Sequence, residues 1–316
     1  MANKLNQPAG RNLKNLPQRN RRLYRTKPQK ASLVLGLGTD GTHQVGTGVG
    51  PTTGSNGHAL LWSGSAASYV DLNPSGFDWS YGNGISGTQQ VGVGSGSATG
   101  GNQHALLWNG SAASYVDLDP GGFYESCAVG TSGTQQVGYG IIGSAMGVKY
   151  HALLWNGSAA SCIDLTPSEF DRSYAQGTSG TQQVGWGLPP GAGYDHALLW
   201  RGSADSYVDL NPSGFTASCA NSTNGTQQVG YGWGPVTGDW EHALLWNGSA
   251  DSFVDLHQFL SSDFIRSEAR FIAGNGNIVG TARDSSGSTH AILWQVPEPA
   301  TLLLLALGAG MVRKKR

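Results

Sequence analysis

The pentapeptide His-Ala-Leu/Ile-Leu-Trp occurs six times, starting at His58, His104, His151, His196, His242 and His290, at spacings of 46, 47, 45, 46 and 48 residues. A Val-Gly pair precedes each copy, at Val45, Val91, Val137, Val184, Val229 and Val279. A Val/Ile-Asp-Leu tripeptide follows the first five, centred on Asp71, Asp117, Asp164, Asp209 and Asp255. A period in the forties means either stacked helix pairs or the four-stranded blades of a propeller. Glycine punctuation and the lack of any 3.6-residue apolar stripe exclude the helical option.

Each unit reads as four short strands. Within the pentapeptide strand, His58, Leu60 and Trp62 share one face, and Ala59 and Leu61 share the other. Both faces are apolar, so the strand needs a neighbour on each side. The predicted fold is therefore all-β: a β-propeller of about six four-stranded blades over residues 31–295. Nothing like Val-Asp-Leu follows Trp294, so the sixth unit is expected to end after its third strand. A basic N-terminal arm, residues 1–30, precedes the repeats, and a hydrophobic tail, residues 296–316, follows them.

Charge is unevenly spread. The arm carries nine of the 19 basic residues and Arg313–Arg316 four more, while residues 31–297 hold six basic residues against 19 acidic ones. An acidic body excludes a nucleic-acid groove there, because phosphate binding needs a basic surface. Cys127, Cys162 and Cys219 are an odd count and form no Cys-x-x-Cys, so no disulfide framework is expected. No phosphate-cradling or dinucleotide fingerprint occurs, and no cofactor is expected.

The His-Ala-Leu-Leu-Trp and Asp-Leu pattern, with Gln-Gln-Val-Gly before it, resembles the HAF family of extracellular repeats over about residues 33–295. It departs from the family in having Leu or Ile where the family has Phe, and Gln-Gln-Val-Gly where the family has Gln-Val-Val-Gly. The resemblance implies an extracellular setting and no defined activity. The tail reads Pro297-Glu298-Pro299, then an apolar run from Leu302 to Val312, then Arg313–Arg316. That order resembles the PEP-CTERM sorting signal, which implies processing by a membrane exosortase at the Pro-Glu-Pro motif, transient membrane association through the tail, and a cell-envelope or extracellular destination. The run is shorter than the roughly 20 residues of a spanning helix. Residues 1–30 show no apolar run of the signal-peptide kind, so the export route is left open.

Six symmetric histidines invite a metal-site reading. Equivalent positions on different blades lie far apart, however, and zinc needs three or four ligands around one point. The expected role is structural: each histidine bonded to the aspartate of its own blade, relieving a half-buried charge. The segments between the second and third strands differ in every copy, which marks one face for recognition. Tyr139, Trp186, Tyr231, Trp233 and Trp240 are the candidate ligand-binding residues there, suited to stacking on sugar rings or to peptide contacts. Asp78, Glu125, Asp171, Arg172 and Glu268 lie near the same face. They would serve the alternative function, a hydrolase or lyase with an axial site. The expected function is not enzymatic: an exported propeller with a binding or structural role, partnered by polysaccharide or another surface protein. The Asn-Gly-Ser triplets at Asn109, Asn156 and Asn247 are read as turn chemistry rather than glycosylation sites.

Overall fold

The computed structural model describes residues 33–295 except 51, 52, 54, 55, 145 and 146. Pro297, Glu298, Pro299 and the basic arm lie outside the described residues. The described chain forms six antiparallel sheets, each a simple meander. Blade one is β1 (Leu33–Thr39), β2 (Gln44–Val49), β3 (His58–Trp62) and β4 (Val70–Asp71). Blade two is β5 (Trp79–Ser86), β6 (Gln89–Ser95), β7 (His104–Trp108) and β8 (Val116–Asp117). Blade three is β9 (Glu125–Thr131), β10 (Gln136–Ser144), β11 (Gly147–Trp155) and β12 (Ile163–Asp164). Blade four is β13 (Arg172–Thr178), β14 (Gln183–Leu188), β15 (His196–Trp200) and β16 (Val208–Asp209). Blade five is β17 (Ala217–Thr223), β18 (Gln228–Trp233), β19 (His242–Trp246) and β20 (Val254–Asp255). Blade six is three-stranded: β21 (Phe264–Ile272), β22 (Ile278–Asp284) and β23 (Thr289–Trp294).

The repeated residues explain the repeated geometry. Every first strand carries one extra residue opposite the Val-Gly pair, as at Val129, where Val137 faces Gly130 and Gly138 faces Ala128. This bulge drives the first strand's carbonyl over the glycine. A Cβ on Gly138 would sit 2.0 Å from the Cys127 carbonyl oxygen, and the equivalent glycines of the other five blades meet the same obstruction at 1.9–2.0 Å. Only glycine fits.

Blade stacking buries the core. Val137, Ala152 and Leu154 on the back of blade three pack with Leu198 and Trp200 on the front of blade four, and the same arrangement recurs at each junction from blade one to blade six. Trp108, Trp155, Trp200 and Trp246 are fully buried. Polar ties cross the same junctions. The Ser126 hydroxyl of blade three accepts the Ala105 N–H of blade two at 3.0 Å and donates to Asp119 at 2.6 Å. At the opposite rim, Gln136 donates to Gln89 of the previous blade at 2.9 Å while its oxygen accepts the Gly157 N–H at 2.8 Å. The Gln-Gln dipeptide thus links neighbouring blades as well as turning a hairpin.

Among the described residues the array is open at one place. The packing that joins each blade to the next does not recur between blade six and blade one. Leu61, Leu107, Leu154, Leu199 and Leu245 are 0–9% exposed, whereas the equivalent Leu293 is 55% exposed. Phe271 and Ala291 share that exposed face. On blade one, by contrast, Leu60 and Trp62 are buried, with Tyr69 packed against them.

Candidate binding face

Five histidines bond to the aspartate of their own blade through Nδ1: His58 to Asp71, His104 to Asp117 and His242 to Asp255 at 2.8 Å, His196 to Asp209 at 2.7 Å, and His151 to Asp164 at 2.6 Å. The second carboxylate oxygen accepts a backbone N–H two residues on, for instance Asp119 onto Asp117 at 2.9 Å. Each pair therefore clamps the third strand to the fourth and shapes the connection to the next blade. Burial pushes the Asp164 carboxyl up, but hydrogen bonds from His151 and Thr166 outweigh it and hold the group below its usual range. His290 has no such partner and uses Nε2 on Asp284 at 2.7 Å. Among the described residues, no cluster of His, Cys, Asp or Glu is arranged to hold a metal ion.

One histidine of the fold responds to pH in a defined direction. His257 stacks on His242 with centroids 4.0 Å apart and bonds the Ser267 hydroxyl at 2.9 Å, across the junction of blades five and six. Burial first, and His242 second, lower its pKa below 6.5. The unfolded chain therefore binds the proton more readily, so this contribution to stability is present above pH 6.5 and lost as pH falls toward the folded value. His257→Gln is expected to reduce the loss of melting temperature between pH 7.5 and pH 5.5 compared with the parent chain; an identical pH profile would contradict this.

The connections between second and third strands do share one face, but four of the candidate aromatics are not on them, Trp233 being the last residue of β18, opposite Ala217. Tyr139, Trp186 and Tyr231 sit inside β10, β14 and β18, facing Cys127, Tyr174 and Cys219 of the first strands. The second strand runs on past its Val-Gly pair, so residues read as loop are paired sheet. Trp186 is only 7% exposed. In blade three the connection is itself a ribbon, with β10 and β11 paired as far as Ser144 and Gly147.

These aromatics nonetheless form a surface over blades three to five. Tyr139 stacks on Tyr174 at 4.5 Å between centroids, and Tyr174 on Trp186 at 5.3 Å with planes 9° apart. Beside them lies a cleft of about 150 Å³ lined by Trp186, Tyr194, Asp195, Cys219, Tyr231 and Trp233. Tyr194, which sequence reasoning missed, is 52% exposed and stands edge-on to Trp233 at 5.1 Å. Trp240 is exposed and carries the Arg266 guanidinium 4.2 Å above its ring. Burial pushes the Cys127 thiol up to about 12, so the sulfur facing Tyr139 stays neutral.

Four acid–base pairs tie up charged residues of this face. Arg172 grips both oxygens of Asp195, at 3.1 and 3.3 Å. Asp171 bonds Lys149 at 2.5 Å, and that lysine holds its carboxyl below the usual range. Arg266 pairs with Glu241 at 3.2 Å, and Glu268 with Arg270 at 2.6 Å. Asp78 is exposed and Glu125 half-buried, on blades two and three, apart from these pairs.

The tail matches the PEP-CTERM protein-sorting motif over residues 295–316. That motif implies an exported surface protein, recognised by an exosortase and held at the membrane by its tail before processing. No helix among the described residues is long and apolar enough to cross a membrane. No curated protein matches the chain. Among solved structures, it is similar to the β-propeller domain of the Trilobed protease from Pyrococcus furiosus, which has an open velcro topology, with a TM-score of 0.58 at 8% identity over 85% of this chain and 82% of that one. It is also similar to a puromycin-hydrolyzing peptidase of Mycobacterium tuberculosis, with a TM-score of 0.54 at 11% identity over 88% of this chain and 46% of that one. At such identities the likeness establishes the fold alone: the chain is a β-propeller that ends in a sorting signal.

Proposed function

We propose that this chain is an exported surface propeller that binds polysaccharide in the cleft between blades four and five. The observation that carries the reading is the exposed Tyr194 standing edge-on to Trp233 above a small aromatic-walled cleft. Faces of exposed aromatic rings suit the C–H faces of sugars, and the cleft is nearer one sugar ring than a whole drug-sized ligand. Asp195, the charged residue among its lining, is already paired with Arg172, so the ligand is a neutral rather than a polyanionic glycan. The pairing of Asp171, Arg172 and Glu268 favours a binding role over an enzymatic one, since each of these is held in its own local contact. The sorting signal supports a cell-surface or matrix location where polysaccharide is at hand.

Binding to a panel of neutral polysaccharides, read by titration calorimetry, tests this. Tyr194→Ala and Trp233→Ala are each expected to weaken binding about tenfold. Their melting temperatures should stay close to that of the parent. Absence of binding across the panel, or full affinity in both variants, would overturn the reading and leave a purely structural matrix role.

A further inference from the structure

Tyr194 and Trp240 hold the same place in successive blades, each two residues before the histidine that opens the third strand. The residue next to each is an acid, Asp195 or Glu241. The backbone carbonyl of that acid accepts an N–H from the first strand of the next blade, Ser218 onto Asp195 at 3.1 Å and Ser267 onto Glu241 at 2.8 Å. Its carboxylate is held by an arginine, Arg172 for Asp195 at 3.1 Å and Arg266 for Glu241 at 3.2 Å. Each aromatic is therefore set at a blade junction, four to five and five to six, on backbone tied to both blades. Blades one and two have Asn56 and Asn102 at this place, blade three Lys149 and blade six Ser288. An exposed aromatic there is confined to two neighbouring junctions.

One short connection links the two places. Trp233 ends β18 and walls the cleft, and Trp240 follows seven residues later. Between them lies a 3-10 turn, Pro235–Thr237, in which the Thr237 hydroxyl and the Asp239 N–H both donate to the Gly234 carbonyl at 2.9 Å. Blade two builds the same turn on Ser97–Thr99, with Gly101 where blade five has Asp239. Both residues are left-handed, with φ of +88° and +62°. Glycine takes that conformation freely and aspartate only at a cost. Blade five tolerates the strain in the turn that presents Trp240, where blade two presents Asn102. Arg266 covers one face of Trp240, 4.2 Å from the ring centroid, and the exposed remainder of the ring is a one-sided platform. Because Glu241 neutralises Arg266, the platform suits an uncharged ring.

We propose that Trp240 is a second sugar subsite and that one neutral polysaccharide chain lies across both junctions, so that the propeller binds the interior of a linear chain rather than a single sugar. The proposal rests on the reading of the Tyr194 cleft as a sugar site. A chain held at the cleft meets Trp240 at high effective concentration, so the two contacts multiply in affinity.

Affinity electrophoresis of the full chain in native gels containing hydroxyethyl cellulose, dextran, laminarin or galactomannan tests this. The parent is expected to be retarded by at least one of these polymers. Against that polymer, Trp240→Ala and Tyr194→Ala are each expected to raise the apparent Kd about tenfold, and the double variant about a hundredfold. Both rings are exposed, so the melting temperatures stay at that of the parent. Were the two places to hold separate chains, or Trp240 none, Trp240→Ala would leave the Kd within about twofold. That result overturns the proposal and leaves the cleft standing. A loss in Trp240→Ala with none in Tyr194→Ala overturns the spanning chain as well. Retardation of the parent by none of the polymers overturns the polysaccharide reading itself, and the second subsite with it.

Discussion

Leu154→Ala is expected to cost about 2–5 kcal/mol of folding stability, while Phe271→Ala costs less than about 1 kcal/mol. The order reverses what side-chain size alone suggests. Leu154 is 1% exposed and sits in the junction of blades three and four beside Leu198 and Trp200. Its truncation removes apolar contact and leaves a cavity that flanking strands, held by their ladders, cannot collapse to fill. Phe271 is 52% exposed on the back of blade six, where no following blade packs. For a domain of this size the first loss lowers the melting temperature by roughly 2–4 °C per kcal/mol. Thermal unfolding of both variants reads the difference. A Phe271 penalty as large as that of Leu154 would mean that blade six is covered and the ring is closed.

Gly138→Ala is the second large effect, at about 3 kcal/mol or more. The added methyl meets the Cys127 carbonyl oxygen at 2.0 Å, and that atom is fixed by the pairing of β9 with β10. Relief requires parting the two strands at the bulge, which also disturbs Ala128 in the junction with blade two. Gly143, on the same strand, has open space where its Cβ would point. Gly143→Ala should therefore be neutral or slightly stabilising, by up to about 1 kcal/mol. Denaturant unfolding of the two variants separates obstruction from the general effect of replacing glycine in a strand. Equal stabilities would remove the bulge as the reason for the Val-Gly pair.

Much of the architecture was legible because stacking imposes the same demand on each unit. A strand apolar on both faces must be sandwiched, so six copies of His-Ala-Leu/Ile-Leu-Trp specify a propeller without further information. The histidine–aspartate spacing was legible for a similar reason: a half-buried carboxylate needs a partner, and the blade offers one at a constant distance along the chain. Other features depend on atoms that repeat periodicity does not place. The glycine of Val-Gly looked like turn punctuation, yet its requirement comes from a carbonyl on the preceding strand. Ser126 gave no signal as a tie between blades, because its partner Ala105 N–H belongs to the blade before it. Tyr139, Trp186, Tyr231 and Trp233 were read as loop residues because variation among copies begins near them, whereas the pairing of the second strand continues through them. Tyr194 was overlooked as one residue in a variable segment; its edge-on contact with Trp233 is a product of packing between blades four and five. The opening between blade six and blade one among the described residues follows from how the units stack, which no single unit encodes.

The most direct test of an exported propeller with a processed tail is the intact mass of the protein recovered from the envelope of its own cells. Cleavage near Pro297–Pro299, with the blades through Gln295 retained, is the predicted result. A chain still ending at Arg316 and found only in the soluble cytoplasmic fraction would contradict the account.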